Sequence, residues 1–431
     1  MNKIFLIILF LVAFTTNVIG ETFSSALLKV YNNNSELNSE RQIIDVSKQN
    51  LKISQGSYLP SVTISSSKTQ EETNKLTNQS GGNATINDID PLTTSITISQ
   101  SLIDFGRGAQ LEKSKVEIDL AKAKLLKKEQ DIIYKTAEAY LGLIFADEKL
   151  KISQENLELL NRQLETNKIR LERGQITLSD VSQSESSLAE SQAKLIQAEN
   201  ELLISKLNYE NVIGPIDDLN SLDEKSIPNY TLPDNLASAL ELSKENNPDL
   251  IIVKLEYEQS KKDKTIAKSE LAPSADLSIS RSYSKDLSTT YDEREQDSIK
   301  ATISWKFYSG GKNIASLKKS ESIETRNRLN LDSAVKQNQM NVLGAWSNFQ
   351  TNISLLNSFK SQVKAAEIAT EGIVAEYNSD SGRTNLEVIQ SNSLLLNAKI
   401  SLANSERNYI LSQFNVLKSI GLLNGDYLKI R

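Results

Sequence analysis

The sequence predicts a mainly α protein with a small β portion, in which one structural unit of long helical hairpins occurs twice. Long helices are expected because 92–214 and 274–431 contain none of the seven prolines, the strongest helix breakers. Short stretches that alternate polar and apolar residues predict strands. Motifs return 207 residues later: Thr177-Leu-Ser-Asp180-Val181 as Thr384-Asn-Leu-Glu387-Val388, and Val212-Ile-Gly214 as Ser419-Ile-Gly421. A period this long indicates two copies of a whole unit.

The N-terminus is predicted to be a signal peptide at 1–20. Lys3 supplies a positive start, Ile4 to Phe14 is an unbroken apolar run, and Val18 and Gly20 suit the positions that a signal peptidase reads. The mature chain is then expected to begin at Glu21. An uncleaved membrane anchor is the alternative, and the apolar run is short for it because a spanning helix needs ~20 residues.

Composition narrows the chemistry. The sequence has no Cys and no His, which removes disulfides, thiolate nucleophiles, Ser-His-Asp triads and ordinary zinc sites. We therefore predict no catalytic residue, no cofactor and no metal site. The formal net charge is -6, whereas nucleic-acid binders carry a basic patch, so no nucleic-acid partner is expected.

The first repeat is predicted to occupy 21–214 and to contain a helix, a strand hairpin, a long helix and a returning helix. The last three lie at about 58–102, 104–173 and 176–213. Leucines on the long helix and apolar residues on the returning helix follow strict heptads on either side of Gly174: Leu150, Leu157, Leu164, Leu171, then Val181, Leu188, Leu195, Leu202. This pattern predicts an antiparallel coiled-coil hairpin, with ordinary helix amphipathicity as the alternative.

The second repeat is predicted to occupy 234–421, after a linker at 215–233 and before a short tail at 422–431. Its strand hairpin is expected at about 271–307. Its returning helix shows the same heptad seam, at Val388, Leu395, Leu402 and Tyr409.

The four predicted strands have one apolar face each, which includes Ile64, Ile98, Ile279 and Ile303. Polar segments at 68–90 and 282–297 are expected to be long loops, and Ile303 is expected near the middle of the apolar band. A small soluble sheet is one interpretation. In an exported chain with aromatic residues at strand ends, strands that face lipid are the other. Four strands cannot close a barrel by themselves, so several chains would have to build one together.

Several motifs, in this order and in two copies, resemble those of the TolC-like outer-membrane efflux proteins over essentially the whole mature chain. They are Ser101-Leu-Ile-Asp-Phe-Gly106-Arg107 and Phe307-Tyr-Ser-Gly-Gly311-Lys312 at the strand-to-helix junctions, Thr136-Ala-Glu-Ala-Tyr140-Leu141 and Gly344-Ala-Trp346 within the long helices, and Gly174-Gln-Ile-Thr177-Leu-Ser-Asp180-Val181 at the hairpin tip. The second tip departs from the first, with one residue fewer between Gly382 and Thr384 and with Glu387 in place of Asp.

The resemblance implies a homotrimer in the outer membrane of a Gram-negative bacterium. Twelve strands would form a shared transmembrane β-barrel, and the hairpins would form a trimeric α-barrel across the periplasm. The expected partners are outer-membrane lipid, a periplasmic adaptor protein and an inner-membrane RND or ABC pump. The expected function is passive conduction of exported drugs, small molecules or polypeptides, without enzymatic activity.

The resemblance also suggests two sets of site residues. A periplasmic gate would involve Tyr377, Asp380, Arg383 and Glu387, with Tyr377 and Arg383 contacting other helices and the acidic residues forming a ring; solvated tip charges are the alternative. The adaptor would dock on the tips, at Gly174, Thr177, Asp180, Val181, Gly382, Thr384 and Val388. Gly174 is equally well explained as a turn former. Bulky replacements of Thr177 and Thr384 are expected to leave the turns intact.

Two other classes share parts of this pattern. A periplasmic coiled-coil adaptor would have one hairpin between compact β-domains, and a structural tether of the envelope would lack the amphipathic strand pairs. Detergent extraction is expected to separate all three, since only the channel would need it.

Overall fold

The two halves of the chain contain the same elements in the same order, which confirms the predicted duplication and the mainly α fold with a small β portion. A computed structural model describes residues 22–428 except 73, 78, 85–88, 217–218, 220–221, 223–226, 229, 289–290 and 380–381. The first half contains α1 (Phe23–Asn33), α2 (Ser35–Gly56), β1 (Ser61–Lys68), β2 (Leu92–Ile103), α3 (Arg107–Glu172) and α4 (Leu178–Val212). The second contains α5 (Leu236–Asn246), α6 (Pro248–Ser269), β3 (Ser274–Ser288), β4 (Tyr291–Ser304), α7 (Lys312–Asn378) and α8 (Asn385–Ser419). The predicted signal peptide at 1–20 lies outside the described residues.

The chain divides into two compact units, and each unit draws on both repeats. The helical unit comprises 1–38, 129–246 and 340–431, and the sheet unit comprises 39–128 and 247–339. Because α3 and α7 each contribute residues to both units, this division differs from the predicted boundary between the repeats at 215–233. Among the described residues, no helix has an apolar stretch long enough to span a bilayer.

In the sheet unit the four strands form one antiparallel sheet in the order β1-β2-β3-β4. Ile98 pairs with Ile279, which pairs with Ile299, and directly opposed residues share a face. The register places all four predicted isoleucines on one face, together with Val62, Ile96 and Ile299. The other face carries mostly Ser and Thr, including Thr63, Thr97, Ser280 and Ser298. One face therefore carries an apolar band and the other face is polar; beyond that band, Arg281 and Asp297 share the face of Ile279.

Two details of the strand predictions were wrong. β3 and β4 continue through most of the segment predicted as a loop at 282–297, because opposite charges face one another there and support pairing without apolar residues. Arg281 lies 3.3 Å from Glu295, and Lys285 lies 3.9 Å from Glu293. Ile303 lies next to the end of β4 and not near the middle of the apolar band.

The first strand-to-helix junction is stabilised by the residues of its sequence motif. Asp104 Oδ1 accepts hydrogen bonds from the backbone N–H groups of Gly106 and Arg107, at 2.8 and 3.2 Å, and so caps α3. The Arg107 guanidinium lies 5.0 Å from the ring centre of Tyr58. A Cβ on Gly106 would come within 2.5 Å of Ser269 Oγ, so any other residue there would require the Ser269 side chain to move.

The helical unit has an aromatic core that explains the mid-helix motif. The rings of Phe23 and Tyr140 meet edge to face at 5.4 Å, and those of Phe23 and Phe414 at 5.5 Å. Thr136, Tyr140 and Leu141 of the motif are all buried. The motif therefore builds the core of this unit.

Small residues form a buried seam within each hairpin. Ser184, Ser191 and Ala198 follow heptad spacing on α4 and are at most 3 % exposed. Ser391, Ala398 and Ser405 have the same spacing 207 residues later on α8 and are at most 6 % exposed. Of the predicted leucine seam on α3, only Leu164 is buried. Asn156 Nδ2 donates to Ser191 Oγ at 2.9 Å, which shows that this small seam of α4 faces α3.

Candidate functional site

Each hairpin ends in a glycine turn, and both glycines are required by backbone conformation. Gly174 has φ of +70° and Gly382 has φ of +85°, in the region that other residues rarely adopt. A Cβ at either position would meet nothing within 4 Å, so space does not select for glycine. This supports the interpretation of both residues as turn formers. Between the helices the second turn is the longer one, at 379–384 against 173–177 in the first.

A threonine capping box follows each turn. Thr177 Oγ1 accepts from Asp180 N at 3.3 Å, and Asp180 Oδ2 accepts from Thr177 N at 2.9 Å. Thr384 and Glu387 repeat the arrangement at 3.3 and 2.8 Å. The expectation that bulky replacements of Thr177 and Thr384 leave the turns intact is therefore wrong, because each hydroxyl caps a helix.

Two residues assigned to the adaptor-docking surface do not lie on the surface. Val181 is 4 % exposed and Val388 is 2 % exposed. Both valines follow a capping box and point into the hairpins, as apolar residues after a helix start do when they face a core. This corrects the predicted surface to Gly174, Thr177, Asp180, Gly382 and Thr384, of which Asp180 is partly exposed and the others are exposed.

Tyr377 joins the second hairpin to the first. Its ring is buried, and its hydroxyl donates to Asn167 Oδ1 of α3 at 2.9 Å. The Arg170 guanidinium, also on α3, lies 4.5 Å from the ring centre and donates to the Tyr377 carbonyl oxygen at 3.4 Å. The predicted contact of Tyr377 with another helix is thus present, and its partners come from α3.

Asn385 makes the most hydrogen bonds between the hairpins. Its Nδ2 donates to the Asp180 carbonyl oxygen at 2.8 Å and to Ser184 Oγ at 3.1 Å. Its Oδ1 accepts from Asn167 Nδ2 at 2.8 Å and from Gln163 Nε2 at 3.1 Å. Both donors and the acceptor of this amide are occupied, as a buried amide requires. We refer to Gln163, Asn167, Ser184, Tyr377 and Asn385 together as the tip network.

Arg383 binds within its own hairpin. Its Nε donates to Glu376 at 2.6 Å and its NH1 donates to Glu387 at 2.9 Å, so it bridges α7 and α8. Arg383 was expected to contact other helices. The helices that it links, α7 and α8, both belong to the second hairpin. The backbone N–H of Thr384, followed by the Arg383 side chain, lowers the pKa of Glu387. Asp380 lies outside the described residues.

Sequence reasoning missed Gln163, Asn167, Arg170, Ser184 and Asn385. A signal was present for Asn167, which interrupts the leucine pattern between Leu164 and Leu171; a polar residue in a coiled-coil seam often sets the register of the helices. Asn385 gave no such signal, since the first helical position is usually solvated.

The tip network is suited to holding the two hairpins together or to releasing them. Within the described part of the chain, no cluster of acidic residues has the spacing to hold a metal ion. The tip network offers hydrogen bonds that form or break as a group.

Comparison with known proteins gives consistent results for both repeats. Residues 27–214 and 239–422 match the family model described as "Outer membrane efflux protein". Outer membrane efflux protein BepC of Brucella suis is 23% identical over 415 residues, which cover 96% of this chain and 88% of BepC. Outer membrane protein TolC of Escherichia coli is 28% identical over 138 residues, which cover 32% of this chain and 28% of TolC. The CmeC outer membrane channel of Campylobacter jejuni has a similar fold, with a TM-score of 0.79 at 14% identity, covering 93% of this chain and 85% of CmeC.

Proposed function

The chain belongs to the outer membrane efflux protein family, whose members are outer-membrane channels and not enzymes, and we propose that three copies form one exit duct of a tripartite efflux pump. Four strands from each copy would close a twelve-stranded barrel, and the hairpins would line a tunnel through the periplasm. A periplasmic adaptor and an inner-membrane RND or ABC pump would complete the assembly. The duct would conduct drugs, small molecules or polypeptides passively.

The observation that carries the trimer proposal is the two-faced sheet with its two edge strands. β1 and β4 each pair with one neighbour in the described sheet. An unpaired strand edge is not tolerated in lipid, and pairing of β4 with β1 of the next copy would remove every edge. Three copies would bring the strand number to twelve, which is within the range of closed barrels.

A matched pair of arginine substitutions tests the proposed lipid face. Ile279 belongs to the row in which all four positions are apolar, with Val62, Ile98 and Ile299. We expect Ile279→Arg to cost about 2 to 4 kcal/mol and to reduce the yield of detergent-extracted trimer. Ser280→Arg lies on the polar face and should leave that yield unchanged.

The result distinguishes a wrong assignment of the lipid face from a wrong proposal of the duct. Equal trimer yields for Ile279→Arg and Ser280→Arg would reject the face assignment. Recovery of the unmodified protein as a monomer that needs no detergent would reject the duct itself.

The gate of this duct is proposed to lie at Tyr377, Asp380, Arg383 and Glu387. The hydrogen bond of Tyr377 to α3 and the link of Arg383 across α7 and α8 support a restraint on the second hairpin. Tyr377→Phe combined with Arg383→Ser should raise the conductance of single channels in planar bilayers.

Glu387→Ala should remove block by trivalent cations, if three copies form an acidic ring. Conductance and block that both match the parent channel would place the gate elsewhere.

The tips are also proposed as the adaptor-docking surface. Ser179 and Leu386 occupy equivalent exposed positions just inside α4 and α8 and take no part in the capping boxes. Replacing both by Trp should therefore leave the turns formed while adding bulk to the surface. We expect lower export and weaker crosslinking to the adaptor. Full export with unchanged crosslinking would refute docking at the tips.

A further inference from the structure

We propose that Asn385 is the central residue of a lock without carboxylates, which holds the two hairpin tips together and makes the closed state insensitive to salt. This inference rests on the gate proposed above. It concerns the chemistry of the restraint, which the gate residues alone do not specify.

The contacts that cross between the hairpins are made by neutral acceptors. Tyr377 donates to an amide oxygen, and Asn385 exchanges hydrogen bonds with two amides, a hydroxyl and a backbone carbonyl. Arg170 is the one cation that crosses among the described tip residues. Its acceptors are the Tyr377 ring, the Tyr377 carbonyl oxygen and Asn378 Oδ1, and all of these are neutral.

Charged groups surround the tip network but do not pair across it. Among the described residues of the tips they are Glu165, Lys168, Arg170, Glu172, Arg173, Asp180 and Glu185 on the first hairpin, and Glu376, Arg383 and Glu387 on the second. Among the described residues of the tips, every ion pair stays within one hairpin. Lys168 pairs with Glu185, and Arg383 pairs with Glu376 and Glu387. Screening these pairs would loosen each tip internally without breaking a contact between the tips.

The polar side chains at the centre of the tip network are buried. Asn167 is 0 % exposed, Asn385 2 % and Ser184 3 %. A carboxylate at such a position would carry a large desolvation cost, whereas an amide with all its partners does not. Salt in solution screens exposed charges but has little influence on hydrogen bonds between buried neutral groups.

The central asparagine of the lock is present in the second tip and not in the first. Leu178 occupies the position equivalent to Asn385, directly after the capping threonine, and it is exposed. Both tips have a left-handed glycine and a threonine cap, and Asn385 adds hydrogen bonds between the hairpins that the exposed Leu178 does not make. Leu178 therefore provides a matched control.

Channel recordings at different salt concentrations test the inference. The ratio of open to closed channels in planar bilayers, corrected for bulk conductivity, should stay constant for the wild type between about 0.1 and 1 M KCl, where the Debye length falls from about 10 to 3 Å. Asn385→Ala should raise this ratio about tenfold at every salt concentration, because buried groups lose their partners. Leu178→Ala should behave as the wild type.

A titratable variant supplies a readout that a general loss of structure would not produce. Asn167→Asp keeps the side-chain shape but replaces a donor to Asn385 and Ser184 by an acceptor. Its open-to-closed ratio should be raised at neutral pH and should return toward the wild-type value as acid protonates the new carboxylate. The wild type should show no such return.

The possible failures are distinguishable. A wild-type ratio that rises with salt would show that ion pairs join the tips and would overturn the lock, while leaving the gate proposal intact. An Asn167→Asp ratio that does not depend on pH would also overturn it. If substitutions at 377, 383 and 385 all leave conductance unchanged, the proposed gate itself fails.

Discussion

The two hairpin tips have the same backbone design and different surroundings. Both use a left-handed glycine and a threonine capping box, yet Leu178 is 69 % exposed and its counterpart Asn385 is 2 % exposed. The duplicated sequence thus preserved the left-handed glycine and the capping box and changed the residue after the cap. The comparison teaches that local structure and contact between repeats are set by different residues, only one position apart.

The largest effect is expected when the residue that differs between the two tips is exchanged. Asn385→Leu gives the second tip the residue of the first and leaves several buried polar groups unpaired. It should lower the free energy of local opening of the tip by about 2 to 3 kcal/mol, measured by hydrogen exchange. The reverse change, Leu178→Asn, should alter this free energy by no more than about 0.5 kcal/mol. Equal effects would mean that burial at 385 is unimportant.

A smaller effect is expected at Tyr377. Tyr377→Phe retains the ring under Arg170 and removes only the hydrogen bond to Asn167. The free energy of local opening should fall by about 1 to 2 kcal/mol, since Asn167 Oδ1 loses its partner in a buried site. Asn167→Leu combined with Tyr377→Phe should then cost less than the sum of the single changes, in a double-mutant cycle by hydrogen exchange. Strict additivity would argue against this contact.

The shared caps should respond alike in the two tips. Thr177→Val and Thr384→Val each remove one capping hydroxyl at similar size. Each should destabilise the first turn of its own helix by about 1 kcal/mol, seen as faster amide exchange in α4 or α8. A loss confined to one tip would show that the two turns are not equivalent.

The smallest effect is a response to acid in the second tip. The pKa of Glu387 is lowered in the folded protein, chiefly by the backbone N–H of Thr384. Its stabilising contribution is therefore complete above the ordinary glutamate pKa of about 4.3 and is lost as the pH falls through the lower folded value. Amide exchange at the start of α8 should accelerate in that range, and Glu387→Gln should abolish the pH dependence. An unchanged profile in the variant would assign the effect to another group.

The sequence predicted those parts of the fold that depend on strong periodicity. Alternation placed Ile64, Ile98, Ile279 and Ile303 on one face because a strand has a period of two. The polar ends of β3 and β4 were missed because charged strand residues that pair across a sheet resemble a loop when read singly.

The hairpin tips were harder to predict because some of their sequence motifs fit two different structural roles. Thr177 with Asp180 fits both a family tip motif and a capping box, and the structure shows the capping box. The small seam at Ser184, Ser191 and Ala198 was overlooked because serine and alanine carry little hydrophobic signal. Asn385 is buried by a helix of the other repeat, a contact that no local pattern encodes.

The most direct test of the account is a reversible link between the tips. Ser184→Cys and Asn385→Cys replace two side chains that lie 3.1 Å apart, in a chain with no other cysteine. Once these thiols are joined by a disulfide or a short reducible crosslinker, single channels in planar bilayers should stay at low conductance. Reduction in the same bilayer should raise the conductance, because the variant lacks Ser184 and Asn385 and with them most hydrogen bonds of the tip network. Equal conductance before and after reduction would contradict the claim that contact between the two tips controls the channel.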